Sequence, residues 1–296
     1  MASDTLPIGE LLDSFELHLR ALNRSPKTIH SYRLAVDQLV EWLGPKPADQ
    51  ITTTDVQGFL AHFLETRASA TARQRYASLS QFFQWATAEG EIPANPMDKI
   101  SPPRVTEQPV PVLTVDQLRA LIASCSGTTF EARRDEAIVR LFADTGIRLG
   151  EMAGLAVGDI DLNLAVAIVK GKGSRFRTVP YGDRTAAALD RYRRQRIRHS
   201  DASSSAWWLG SKGPLGESGI GQMLKRRARD AGLDLIHPHM FRHSFAHQWL
   251  SAGGNEGDLQ RIAGWASPQM LQRYGRSAAD QRARDAYRRN PLWGDL

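Results

Sequence analysis

The stretch Ala165-Val-Ala-Ile-Val-Lys-Gly-Lys-Gly-Ser-Arg-Phe-Arg-Thr-Val-Pro180 is where the chain changes its period. Ala165–Val169 is a short apolar run rich in valine and isoleucine, Gly171-Lys172-Gly173 is a glycine-rich turn, and Phe176–Val179 is a second short run. The segment therefore reads as strand, turn, strand. On both sides the apolar residues recur at helical spacing instead. Upstream they are Leu11, Phe15, Leu19 and Leu22, then Ile29, Tyr32, Val36, Leu39 and Leu43, then Val56, Phe59 and Phe63, then Tyr76, Leu79 and Phe83. Ser25-Pro26 sets a capping hydroxyl before a proline in the first turn, a good start for the second helix. From about residue 184 onward the chain again looks mainly helical, apart from the serine-rich loop 202–206. One hairpin in a helical chain predicts a mainly α protein with a small antiparallel sheet.

Between the first helices and the hairpin lies Ile100-Ser-Pro-Pro-Arg-Val-Thr-Glu-Gln-Pro-Val-Pro111, with four prolines in twelve residues. Such a stretch cannot be regular helix and reads as an extended linker. The division expected is a small helical bundle over residues 1–100, a linker over 101–111, and an α+β domain over 112–296. Thr114 with Gln117 forms a capping box for the first helix of that second domain. A chain of 296 residues suits two cores better than one.

Composition narrows the function classes. No run approaches the roughly 20 apolar residues that cross a bilayer, and MASDTLPIGE lacks a basic-then-apolar leader. A single cysteine, Cys125, rules out an internal disulfide and a multi-cysteine zinc site, and fits a reducing cytoplasm. Its small and apolar neighbours in LIASCSG suggest packing rather than nucleophilic chemistry. Charge is uneven: residues 1–100 balance to −3, while residues 101–296 carry +9 of the overall +6. With a pI near 9.7, an anionic polymer is a reasonable partner. Arginines crowd at 191, 193, 194, 196 and 198 and again at 282, 284, 288 and 289, each run being equally a solvated helix face or a phosphate-binding one.

Four segments of the second domain are polar beyond what a core needs. They are Thr145-Gly-Ile-Arg148-Leu-Gly-Glu151, Gly171-Lys172-Gly173, His239-Met-Phe-Arg242-His243, and Gly264-Trp265 with Tyr274 nine residues on. Each has a plain alternative. Arg148 and Glu151 suit a helix ion pair at i, i+3; Lys172 suits a solvated turn; Tyr274 suits a core position. His239, His243 and His247 at i, i+4, i+8 could share one helix face and seat zinc. No Glu lies between His239 and His243, however, and Arg242 beside a cation is unfavourable, so no metal is expected. A non-catalytic DNA-binding protein would suit the basic balance but would not require Lys172 and Tyr274.

The order and spacing of the four segments together resemble the tyrosine recombinase family, which includes lambda-type integrases, Xer proteins and Cre. SPKTIHSYRLAVDQLVEWL and FFQWATAEGEIPANPMDKI look like the family's core-binding domain, and VLTVDQLRALI through the tyrosine is similar to its catalytic domain. The resemblance implies an N-terminal helical core-binding domain plus an α+β catalytic domain that ends in an exchange helix. It implies a site-specific recombinase that needs no cofactor. By motif it assigns Arg148 and Arg242 as the catalytic arginines, with Glu151 holding Arg148 in position. Lys172 becomes the general acid, His239 a proton acceptor, His243 a supporting residue and Tyr274 the nucleophile. At 265 the family usually has histidine; here it is Trp265, as in Cre-like members, and an indole N–H donates a hydrogen bond without shuttling a proton. The resemblance further implies double-stranded DNA sites as partners, a free monomer, and a homotetramer on paired sites assembled through the tail Ala278–Arg289, with no membrane contact. Few residues precede the first helix, which leaves no room for an arm-type DNA-binding domain. Trp265 and AGGNEGDLQRIAGW look less like Xer proteins than like a mobile-element integrase.

Overall fold

A computed structural model describes residues 6–44, 46–105, 111–171, 176–265, 284, 287 and 288. The chain divides into two compact units, residues 1–108 and 109–296, and the division falls inside the proline-rich stretch.

The first unit is built from four helices, α1 (Leu12–Ala21), α2 (Pro26–Leu43), α3 (Thr53–Thr66) and α4 (Ser69–Ala88). Local chemistry starts two of them, α2 as the sequence suggests and α3 by a capping box that the sequence reading did not single out. The Ser25 hydroxyl accepts a hydrogen bond from the Thr28 N–H at 3.2 Å, and Thr52 and Asp55 cap α3 reciprocally. The helical stripes converge on one aromatic-rich core of Phe15, Leu39, Phe59, Phe82 and Phe83, with Phe15 edge-on to Phe82 at 5.3 Å. No strand interrupts the described part of this unit.

The second unit opens with α5 (Val115–Ala123), whose Thr114–Gln117 capping box forms as expected. At its centre lies α6 (Phe130–Thr145), buried around most of its circumference by Ala132, Ala137, Ile138, Val139, Leu141 and Phe142. Its buried charges are paired: Arg134 with Asp135 at 2.7 Å, and Glu136 with Arg140 at 2.9 Å. After α7 (Leu149–Ala153) comes a three-stranded antiparallel sheet: β1 (Ile160–Asp161), β2 (Val166–Lys170) and β3 (Phe176–Pro180) in that order. Lys170 pairs with Phe176 and Val169 with Arg177, so the two strands that the change of period predicts pair antiparallel. The helices α8 (Asp183–Arg196), α9 (Glu217–Asp230), α10 (Pro238–Ser251) and α11 (Glu256–Ala263) complete the described part.

The structure adds to the sequence reading at two points. Residues beyond 184 include a second small sheet, β4 (Leu209–Gly210) paired with β5 (Gly213–Pro214). Strands of two residues carry no readable alternation. The arginine run is divided: Arg193 and Arg194 are exposed and pair with Asp190 on a solvated face, whereas half-buried Arg191 pairs with Glu136. Buried Arg196 donates to the carbonyls of Ala202, Ser204, Ala206 and Trp207, holding the serine-rich loop in place. Cys125 is buried, its thiol pushed up to about 11 by that burial, which fits packing and not nucleophilic chemistry.

Candidate active site

The site forms where α10, α11, β3 and the start of α7 meet. Arg148 is the N-cap of α7, in extended backbone with φ −74° and ψ 154°. Its backbone N–H donates to Glu151 Oε2 and its Nη1 to Glu151 Oε1, both at 2.8 Å. The helix ion pair is thus real, and it also fixes the guanidinium at the helix entrance. Arg148 Nη2 donates to the Gly264 carbonyl at 3.0 Å, while 39% of the side chain remains exposed.

Glu151 is buried, its side chain only 4% exposed, and accepts four hydrogen bonds from two arginines. Two come from Arg177 on β3, whose Nη1 and Nη2 reach the two carboxylate oxygens at 2.7 and 2.8 Å. Burial pushes the Glu151 carboxyl up. The Arg177 fork, the Arg148 N–H and the Arg148 guanidinium outweigh it and hold the group at about 2.

Arg242 comes from α10 and is almost fully buried. Its Nη1 donates to the Gly146 carbonyl at 2.9 Å and its Nη2 to the Ala263 carbonyl at 2.6 Å. Its guanidinium lies over the Trp265 ring, 5.3 Å from the centroid. Gly146 caps α6 in left-handed conformation at φ 59°, and a Cβ there would fall 2.9 Å from Phe245. Glycine meets both demands.

One pattern organises these contacts. Three successive carbonyls at the C-terminal end of α11 each accept from a different arginine: Ile262 from Arg177 at 2.8 Å, Ala263 from Arg242, Gly264 from Arg148. These carbonyls lack partners within the helix and carry the negative end of its dipole, so three cations gather on them. Gly264 is also left-handed, at φ 62°, and an added Cβ would sit 2.9 Å from the Arg177 guanidinium.

Of the residues singled out in the sequence, Arg148, Glu151, Arg242 and Trp265 are brought together here. His239 is exposed in the first turn of α10, three residues before Arg242 and so on a neighbouring part of that helix face; His243 follows one turn on, half-buried. Lys172 and Tyr274 lie outside the described residues, as does most of the tail 278–289, of which Arg284, Tyr287 and Arg288 are helical. Arg177 was missed. Its signal was weak but present: it shares a strand face with buried Val179, where a charge requires a partner.

The profile of the Phage integrase family matches residues 111–281, and that of the Phage integrase N-terminal SAM-like domain matches residues 11–90. The chain belongs to the phage integrase family. As an integrase-family member it meets the tyrosine recombinase expectation, and its relatives carry that name. It is 33% identical over 276 residues to tyrosine recombinase XerC of Roseiflexus sp. (strain RS-1), covering 88% of each chain. It is 32% identical to XerC of Alcanivorax borkumensis, covering 93% of this chain and 91% of the relative. Among solved structures, the integrase of transposon Tn1549 with transposon right-end DNA superposes at TM-score 0.79, with 22% identity over 97% of this chain and 100% of that one. The XerH recombinase in a post-cleavage complex with palindromic difH substrate superposes at 0.75, with 19% identity over 97% and 85%. Both place the integrase-family fold, mainly helical with a small antiparallel sheet, on this chain.

Proposed function

We propose that this chain is a site-specific DNA recombinase that cuts and rejoins strands through a 3′-phosphotyrosine at Tyr274, serving integration, excision or resolution of a mobile element or replicon. The observation that carries the reading is the convergence of Arg148 and Arg242, distant in sequence, on adjacent carbonyls at one helix end. Planar, permanently charged guanidiniums suit the nonbridging oxygens of a phosphodiester, where attack builds negative charge.

In this reading the Tyr274 oxygen attacks the scissile phosphorus, and the bond to the 5′-oxygen breaks. Tyrosine with a pKa of about 10 holds its proton at neutral pH, so His239 accepts it during attack. Lys172, on its glycine turn, gives a proton to the departing 5′-oxygen. One phosphoester replaces another, and a 5′-hydroxyl from a partner strand reverses the step, so neither ATP nor a metal is consumed. The N-terminal helical unit serves as the core-binding domain, and it and the catalytic domain both bind duplex DNA in the cytoplasm. The free protein is a monomer, and four copies assemble on paired sites through the tail 278–289. The Xer-named relatives, matched over nearly their whole length, support a two-domain recombinase of Xer type over the mobile-element reading drawn from Trp265.

The test uses the full chain and sheared genomic DNA from its source. After denaturation in detergent, covalent protein–DNA adducts are captured and sequenced. Adducts should cluster at inverted repeats, with protein on the 3′ phosphate and a free 5′-hydroxyl opposite. Adducts on the 5′ end, or none, overturn the proposal. Removing residues 278–296 should weaken cooperative binding to paired sites far more than binding to one site; equal losses would count against tail-mediated assembly.

A further inference from the structure

We propose that Arg177 is a positioning residue that keeps the charge of Arg148 available to the scissile phosphate by neutralising Glu151. The proposal rests on the assignment of Arg148 to that phosphate. Glu151 ties Arg148 down, but a carboxylate 2.8 Å from a guanidinium also cancels its charge. The Arg148–Glu151 pair alone is neutral. With Arg177 the group carries one net positive charge.

Geometry decides where that charge is expressed. Arg177 takes both Glu151 oxygens, is 14% exposed, and spends its Nε on the Ile262 carbonyl. Arg148 takes one Glu151 oxygen with its side chain and stays 39% exposed. The inner arginine satisfies the carboxylate, so the outer arginine faces solvent with its field unscreened by Glu151. The same residue couples parts of the site that come from separate elements. It sits on β3 opposite Val169, in the strand that follows Lys172 in the chain, and bonds the helix end that receives Arg148 and Arg242. The planar fork of arginine matches two carboxylate oxygens while a third N–H points elsewhere, but the charge role itself needs only a cation beside Glu151.

A purely structural Arg177 would glue hairpin to helix and no more. The two roles separate in a double-mutant cycle. Single-turnover cleavage is measured under saturating protein on a duplex carrying the captured site, with Arg177→Gln, Glu151→Gln, the double variant and Arg177→Lys. Loss of Arg177 should slow cleavage by roughly 10- to 100-fold, less than removing a donor that touches the oxyanion itself. Removing the Glu151 charge as well should recover at least about half of that loss on a logarithmic scale, because Arg148 regains its charge. Arg177→Lys, which keeps the charge and loses the fork, should stay within a few-fold of wild type. A double variant slower than Arg177→Gln overturns the proposal. Should the double variant not fold, equal losses in the Lys and Gln variants overturn it instead.

A second readout is independent of recombination. Inorganic phosphate is titrated into the full-length protein and followed by arginine Nε–Hε resonances. Phosphate affinity should fall in Arg177→Gln and return in the double variant; no fall overturns the charge role. If wild type binds phosphate in this pattern yet forms no covalent adduct, the recombinase reading fails while the role of Arg177 in setting the charge stands.

Discussion

The Arg242 guanidinium lies over the face of Trp265, 5.3 Å from the ring centroid, while two of its nitrogens hold the carbonyls of Gly146 and Ala263. Arg242 is thereby fixed by two hydrogen bonds and an aromatic platform, which explains how tryptophan serves where a proton-capable histidine is usual. The platform needs a π face and not a titratable nitrogen. Trp265→Phe should cleave within a few-fold of wild type, and Trp265→Ala should lose roughly 5- to 30-fold, the range of a desolvated cation–π contact. Single-turnover rates check this. Full activity in the alanine variant, or a histidine variant much faster than wild type, would show that the residue at 265 acts otherwise.

Glu151 sets an acid limit on stability. Its carboxyl titrates at about 2 in the folded protein against an ordinary 4.5. A group depressed on folding stabilises fully above its unfolded value and loses that contribution as pH falls through the folded one. The Glu151 contribution is therefore complete above about pH 4.5 and lost between there and about pH 2. Glu151→Gln should lower the melting temperature at pH 7, and its deficit against wild type should shrink as pH is lowered across that window. A deficit that stays constant with pH would contradict the ion-pair account.

Lys172 is tested by its leaving group. Lys172→Ala should slow cleavage by roughly 100-fold or more if it supplies the proton to the 5′-oxygen. A bridging 5′ sulfur leaves as a thiolate, whose conjugate acid has a pKa near 8.5 by analogy with cysteine, and needs little help. On that substrate Lys172→Ala should approach wild type, whereas Arg148→Ala should not. Rescue of Lys170→Ala in its place would put the acid on the strand residue that pairs with Phe176.

Much of the fold was legible because its signals are local. Ser25 and the Thr114–Gln117 box cap the helices they precede, and the switch at Ala165 from helical spacing to two short apolar runs marks the paired strands. What escaped is relational. Arg177 gains its meaning from Glu151, 26 residues earlier in the chain, and from Ile262, 85 residues later. Arg196 looked like part of a basic face because a helical pattern cannot reveal four loop carbonyls folded over it. Arg148, Glu151 and Arg242 were readable as a set only through their motifs; that Arg148, Arg177 and Arg242 meet on three successive carbonyls at the end of α11 is a tertiary fact.

Tyr274→Phe tests the central claim most directly, because it removes one hydroxyl and nothing else. The variant is incubated with DNA carrying the captured site, denatured in detergent, and compared with wild type for covalent adduct, with site binding measured in parallel. The account predicts unchanged binding and complete loss of both strand cleavage and adduct. A detergent-resistant adduct formed by the phenylalanine variant would contradict it.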